Sequence, residues 1–192
     1  MSKIRVLLVE DDLVWQQGLS AFLNAEPDIE VVAVAGTKEE ALERFRSAGP
    51  DVVLMDINLS DNRLDGLEAA KEILRVEGRT TSVIMVTSLE EKGLVLQSFQ
   101  SGAANFISKT SYRDIAQAIR DARANRSGIH PDAAASIRRE LRLMALTPSE
   151  RELYDLREQG LSKTQISGKL NKSVNTIKSQ WKSIKQKLFD PN

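Results

Sequence analysis

The sequence predicts an α/β fold, a doubly wound parallel sheet of the (βα)5 type, followed by an all-α unit with a helix-turn-helix. Three observations predict it. Short, continuous apolar runs rich in β-branched residues alternate with helical patterns over the first 125 of the 192 residues, as in a parallel sheet buried on both faces. Beyond residue 125 no strand pattern recurs and the periodicity is helical. The charge divides along the same line. The net charge is zero, but residues 1–125 carry 14 Lys/Arg against 20 Asp/Glu, a net of −6. Residues 126–145 carry 4 against 2, and residues 146–192 carry 9 against 5. An acidic part joined to a basic part implies two domains with different partners.

The strands are expected at 4–10, 30–35, 52–56, 83–87 and 105–108. Helical patterns separate them. Residues 13–25 place Val14, Gly18, Leu19, Phe22 and Leu23 on one stripe, and residues 38–48 align Ala41, Leu42 and Phe45. The pattern continues at 67–76 and 94–100, and 112–124 closes it with Ile115, Ala118 and Ile119. Gly36, Gly49-Pro50, Gly78 and Gly102 punctuate the series. This first domain spans 1–125, and 126–145 is a linker, partly helical. Arg126-Ser127-Gly128 reads as a helix stop, His130-Pro131 resets the chain, and 132–144 forms a helix of little apolar content. The last domain, 146–192, opens on the capping box Thr147-Pro148-Ser149-Glu150 with proline at the first helical position. That helix runs to about residue 159, where Gly160 suits a left-handed end. Ser162-Lys163-Thr164-Gln165 is a second capping box, and after the turn Asn171-Lys172, Ser173 caps a third helix reaching about residue 188. Two helices joined by a tight turn make a helix-turn-helix.

Composition narrows the chemistry. The chain has no cysteine, which excludes disulfides, thiol catalysis and cysteine zinc sites. Its apolar stretches are strand-sized, far short of the roughly 20 residues of a membrane span. The N-terminal apolar run is too short and too soon acidic for a signal peptide, so a cytoplasmic location without membrane contact is expected.

Two apolar strands end in carboxylates, Glu10-Asp11 and Asp56, at the sheet edge where such folds place ligands. Carboxylates gathered there repel one another unless a cation fills the pocket. Mg²⁺ (or Mn²⁺) takes hard oxygen ligands octahedrally, and Asp11 and Asp56 each offer one, with Glu10 reaching through a water. Asp56 is then placed to attack a phosphorus atom. Lys109 follows the fifth strand and supplies a point charge for one phosphoryl oxygen, and Thr87 ends the fourth and offers a hydroxyl to another. Any one strand-end aspartate is more often a cap or a solvated loop residue, as is expected of Asp12; the constellation carries the reading.

Residues 1–125 resemble the receiver domain of bacterial two-component response regulators, a CheY-like fold. The resemblance runs through Glu10-Asp11, Asp56 followed by Asp65-Gly66, Thr87-Ser88, and Phe106 three residues before Lys109. It implies that Asp56 is the phosphoacceptor and that Glu10, Asp11, Asp56 and the backbone carbonyl of Asn58 bind the metal. It implies that Thr87 and Lys109 sense the phosphoryl group and that Phe106 is the switch aromatic. The sequence departs from the family at Ser60 and Thr110, where proline or, at the latter, aspartate is frequent, and in a longer segment from Asp56 to Gly66.

The third helix of the basic part carries Ile177, Trp181, Ile184 and Leu188 on a core stripe, with Lys178, Lys182 and Lys185 on a neighbouring stripe. With Asn175 and Ser179 these lysines form a face suited to a DNA major groove. Seven lysines and no acidic residue lie between 163 and 189. Residues 146–188 resemble the LuxR-type helix-turn-helix of the NarL/FixJ class, through Leu146-Thr147-Pro148-Ser149-Glu150-Arg151-Glu152, Gly160-Leu161-Ser162, Ile166, Leu170, Ser173, Thr176-Ile177-Lys178 and Lys187-Leu188. The resemblance singles out Lys178, Ser179 and Lys182 as DNA contacts, and Gln180 stands where the family often has histidine.

The expectation is a two-component response regulator, not an enzyme. A sensor histidine kinase supplies the phosphoryl group, a homodimer forms on phosphorylation and binds double-stranded promoter DNA, and RNA polymerase is a further candidate partner. The sole histidine, His130, has no mark of a phosphoryl donor. A Mg²⁺-dependent phosphatase of the haloacid dehalogenase type is disfavoured, since it needs two aspartates separated by one residue after the first strand. A third reading keeps the fold without phosphorylation, with constitutive DNA binding or a protein-binding platform.

Overall fold

A computed structural model describes residues 2–59, 64–76, 78, 80–88, 94–126 and 128–189. Ser60 and Ser127, both singled out above, lie outside them. The described chain divides into two compact units, Met1–Ser136 and Ile137–Asn192, with the boundary inside one helix.

The first unit holds a five-stranded parallel sheet in the order β2-β1-β3-β4-β5. The strands are β1 (Ile4–Val9), β2 (Ile29–Ala35), β3 (Val52–Met55), β4 (Ser82–Thr87) and β5 (Asn105–Ser108). The helices between them are α1 (Leu13–Asn24), α2 (Lys38–Ala48), α3 (Asp65–Leu74) and α4 (Val95–Gln100). A short 3-10 helix, Lys109–Asp114, leads into α5 (Ile115–Arg123), and α6 follows at Pro131–Leu143. The last sheet-covering helix starts later than expected and ends within one residue of the expected 124. The 3-10 turn replaces the expected α-helical start at 112, and Asn125, with φ of 51°, ends the helical run before the expected stop at Arg126-Ser127-Gly128.

Every residue of β3 is buried, and so are the last four of β1, which is why these segments read as unbroken apolar runs. Val6, Leu8, Val52, Leu54, Ile84, Val86 and Ile107 face α1 and α5, where Leu19, Leu23, Ile115 and Ile119 close the core. The intervening strand residues alternate to the opposite face. One expectation fails on α1. Leu19 and Leu23 are buried, but Val14 is 81% exposed. Val14, Gly18 and Phe22 form a separate i, i+4 row that with Trp15, Leu19 and Tyr112 lines a cavity of about 430 Å³, with Phe22 half-buried against the core and Val14 left outside it.

Register positions the site. Val9 pairs with Met55, and Asp56 N–H donates to Val9 O at 3.0 Å, so Glu10 and Asp56 emerge side by side. Thr87 pairs with Ser108, which places Lys109 at the same edge. The chain reverses its winding between β1 and β3, the switch point where open sheets form their crevice.

The second unit packs α7 (Pro148–Glu158), α8 (Lys163–Leu170) and α9 (Val174–Phe189) around Leu146, Leu153, Leu156, Ile166, Ile177 and Ile184. Both capping boxes are formed, by Thr147 with Glu150 and by Ser162 with Gln165. Asn171, with φ of 50°, makes the left-handed turn between α8 and α9. Leu143 is buried in this core, so the C-terminal end of α6 is less polar in its surroundings than its composition suggests.

Candidate functional site

At the carboxyl edge of the sheet, carboxylate oxygens of Glu10, Asp11 and Asp56 lie within 4.8 Å of one another. Glu10 and Asp56 are buried and Asp11 is exposed. Lys109 Nζ bridges the two buried acids, at 2.8 Å from Glu10 Oε1 and 2.7 Å from Asp56 Oδ2. The same ammonium lies 5.7 Å from the Trp15 ring centroid. Local bonds orient the acids. Gln16 Nε2 donates to Glu10 O at 3.0 Å, and Asn58 N–H donates to Asp56 Oδ1 at 3.4 Å. Asp12 turns away and caps α1, accepting from Val14 N and Trp15 N, as its place at the helix start implies.

The electrostatics follow from burial. Desolvation pushes the Glu10 carboxyl up to about 7, opposed by its Lys109 hydrogen bond and reinforced by the Asp56 charge. Desolvation also raises Asp56, against its hydrogen bond to Lys109. Burial pulls the Lys109 ammonium down, but its bonds to Asp56 and Glu10 outweigh this and hold it above its ordinary value. Among the described residues Lys109 is the cation bonded in this group of acids, to Glu10 and Asp56. Hard oxygens grouped at this spacing fit a divalent cation.

Thr87 is buried, and its Oγ1 has no hydrogen-bond partner among the described residues. A buried hydroxyl left unpaired costs about 1–3 kcal/mol. Thr87→Val is therefore expected to leave folding stability unchanged or to raise it by up to about 1 kcal/mol, read as a denaturant midpoint. A clear loss of stability would show that the hydroxyl is satisfied in the folded protein. Phe106 is buried on β5 opposite Met85.

Two contributions were not legible in the spacing. Gly66, recognised only as part of the Asp65-Gly66 pair, packs so tightly that a Cβ there would meet Asp56 O at 1.7 Å. Asp132, in the connector, accepts from the backbone N–H of Ser108 at 2.9 Å. No local signal in the sequence marks a contact that spans 24 residues.

In the second unit Asn175, Lys178, Ser179, Lys182 and Lys185 lie along α9, with Lys178 and Lys185 among its exposed residues. Trp181 is half-buried against Tyr154, with ring centroids 6.3 Å apart, and Arg157 lies 5.5 Å from its centroid, so it packs inside the unit. Gln180 also faces inward, donating to Ser149 Oγ at 3.1 Å.

Comparison with known proteins agrees with this geometry. Residues 6–120 match the response regulator receiver domain family. The transcriptional regulatory protein LiaR of Bacillus subtilis is 33% identical over 194 residues, covering 96% of this chain and 90% of that one. The crystal structure of a LuxR-family two-component response regulator from Aurantimonas sp. has 29% identity and a TM-score of 0.65, over 72% of this chain and 98% of that one. A structure of an RcsB–DNA complex, at 21% identity, shares the fold with a TM-score of 0.73 over 100% of this chain and 94% of that one. No helix among the described residues is long and apolar enough to cross a membrane. With a receiver domain matched over its sheet-bearing part and a transcriptional regulator aligned along nearly its whole length, the chain belongs to the NarL-type response regulators.

Proposed function

We propose that Asp56 accepts a phosphoryl group from a sensor histidine kinase and that this controls dimerisation and sequence-specific DNA binding by the C-terminal unit. The observation that supports it is the convergence of Glu10, Asp11 and Asp56 within 4.8 Å, with Lys109 bridging two of them. On this reading residues 1–125 are the receiver, 126–145 the linker and 146–192 the DNA-binding domain.

Asp56 Oδ attacks phosphorus, its new O–P bond forming as the P–N bond to the kinase imidazole breaks and that ring leaves with the bonding pair and takes up a proton. Glu10, Asp11, Asp56 and the Asn58 carbonyl would hold Mg²⁺ or Mn²⁺. When bound, the ion neutralises the carboxylates and the charge on the incoming phosphoryl oxygens. Lys109 moves its ammonium from the carboxylate to a phosphoryl oxygen, and the Thr87 hydroxyl donates to another. Phe106, on β5 three residues before Lys109, follows the change. The shift selects a receiver state already in equilibrium with the resting one.

Incubation of the full chain with acetyl phosphate and Mg²⁺ should add one acid-stable, base-labile phosphate by mass spectrometry, and Asp56→Asn should add none. Equal labelling of that variant removes the assignment.

For the C-terminal unit, Asn175, Lys178, Ser179, Lys182 and Lys185 would meet double-stranded promoter DNA. Removing one lysine–phosphate pair should flatten the salt dependence by about one unit of log–log slope. Lys178→Ala should weaken promoter binding about tenfold, with a shallower slope if it meets phosphate and relaxed sequence preference if it reads a base. Unchanged affinity and slope for this variant would place the DNA face elsewhere.

A further inference from the structure

The connector returns to the edge strand of the sheet just before α6 begins. His130 N–H donates to Asn105 Oδ1 at 3.0 Å. His130 Nδ1 lies 3.2 Å from the Asp132 backbone N and 3.3 Å from Asp132 Oδ2, and its Nε2 lies 3.1 Å from Asp114 Oδ2. Ala133 is fully buried behind them. Asp132 reaches further still. Its Oδ2 accepts the backbone N–H of Ser108 at 2.9 Å. Ser108 ends β5 and directly precedes Lys109, and its hydroxyl lies 2.9 Å from Thr110 Oγ1 on the other side.

An acid in the first turn of a helix ordinarily serves that helix's own free amides. Asp132 instead gives an oxygen to an amide 24 residues earlier. Asp132 lies beyond the receiver match, which ends at residue 120, whereas Ser108 lies within it. It joins the connector to the backbone that aims Lys109.

We propose that Asp132 is a positioning residue for Lys109, so that docking of the connector on β5 and phosphorylation of Asp56 oppose one another. This rests on the phosphoacceptor reading above. In the docked arrangement Lys109 Nζ is bonded to Glu10 and to Asp56 Oδ2. Phosphorylation turns that carboxylate into an acyl phosphate and moves the negative charge outward onto the phosphoryl oxygens. Lys109 follows the charge, and it pulls on a backbone that Asp132 holds in the resting position. Each event therefore weakens the other by the same factor, since coupling between two equilibria is reciprocal. The connector thereby registers the state of the site without touching it.

The test uses the full chain, with acetyl phosphate and Mg²⁺ as the probe, in the wild type, Asp132→Ala and Asp132→Asn. Labelling of Asp56 is followed by mass spectrometry. Hydrogen exchange is followed in peptides covering residues 105–114 and 128–136. Asp132→Ala should label about fivefold faster, the low end of a coupling between two equilibria, because one hydrogen bond no longer resists the change. Asp132→Asn, whose amide oxygen still accepts from Ser108 N–H, should fall nearer the wild type. Phosphorylation of the wild type should speed exchange in both peptides. Wild-type labelling rates in both variants would overturn the proposal, even if Asp132→Ala melted lower, because that is the result of a merely structural role. Unchanged exchange after full labelling of the wild type would overturn it too. Absence of label from all three proteins would instead defeat the phosphoacceptor reading, and this inference with it.

Discussion

Gly66→Ala is expected to destabilise the first unit by about 4 kcal/mol, at the severe end of single substitutions. Gly66 opens α3 against the loop that follows β3, and its N–H donates to Ile57 O at 3.0 Å. An alanine Cβ would lie 1.7 Å from Asp56 O, 2.8 Å from Asp56 C and 3.0 Å from Ile57 O. All three are backbone atoms, so no side-chain rotation relieves the overlap. Either α3 moves away from the sheet, opening the core around Leu67 and Ala70, or the backbone of Asp56 shifts. The first outcome lowers the denaturation midpoint, and the second also moves the acidic cluster. Chemical denaturation with labelling of Asp56 reads both. A variant with wild-type stability would mean that α3 begins farther from Asp56 than the geometry places it.

The second large effect belongs to the helical unit. Glu150 is buried at the start of α7, where Oε2 accepts from Thr147 N–H at 2.9 Å and pairs with Lys187 Nζ at 2.6 Å, and Oε1 accepts from Ser183 Oγ at 2.7 Å. The Lys187 bond, then the backbone bond, hold its carboxyl down at about 2, against an ordinary 4.5. A depressed folded-state value gives stability that is complete above pH 4.5 and is lost as the pH falls toward 2. Glu150→Ala should cost about 2–3 kcal/mol near neutrality, because Lys187 remains partly solvated and the cap is lost as well. The stability gap between wild type and Glu150→Gln should close between about pH 5 and about pH 2, followed by urea unfolding at each pH. A gap independent of pH would mean that Glu150 acts by shape alone.

Glu150 shows what could be read in advance and what could not. Its role in a capping box follows from Thr147-Pro148-Ser149-Glu150, because the box is formed within one turn. Its bond to Lys187 joins residues 37 apart and depends on how α9 crosses α7. The same holds in the sheet. Strand ends at Glu10, Asp56 and Thr87 were legible because buried parallel strands leave unbroken apolar runs that stop abruptly at a polar residue. Val14 departs from the expected core because a helical stripe identifies a face and not its neighbour. Leu19 and Leu23 meet the core, and the adjacent row through Val14 lines a surface cavity.

By itself the sequence determined the α/β order of elements, the type and order of the acidic, hydroxyl and lysine residues at the strand ends, and the lysine stripe of the last helix. Each depends on short-range periodicity or on residue type, which a chain carries without folding. Only the tertiary structure decided that Lys109 bridges Glu10 and Asp56, that Thr87 Oγ1 lacks a partner among the described residues, that Gly66 leaves no room beside Asp56, and that Asp132 holds Ser108 N–H. These are distances between residues far apart in the chain. They exist only once parallel pairing has brought the carboxyl ends of β1, β3, β4 and β5 to one edge and the connector has been folded back against it.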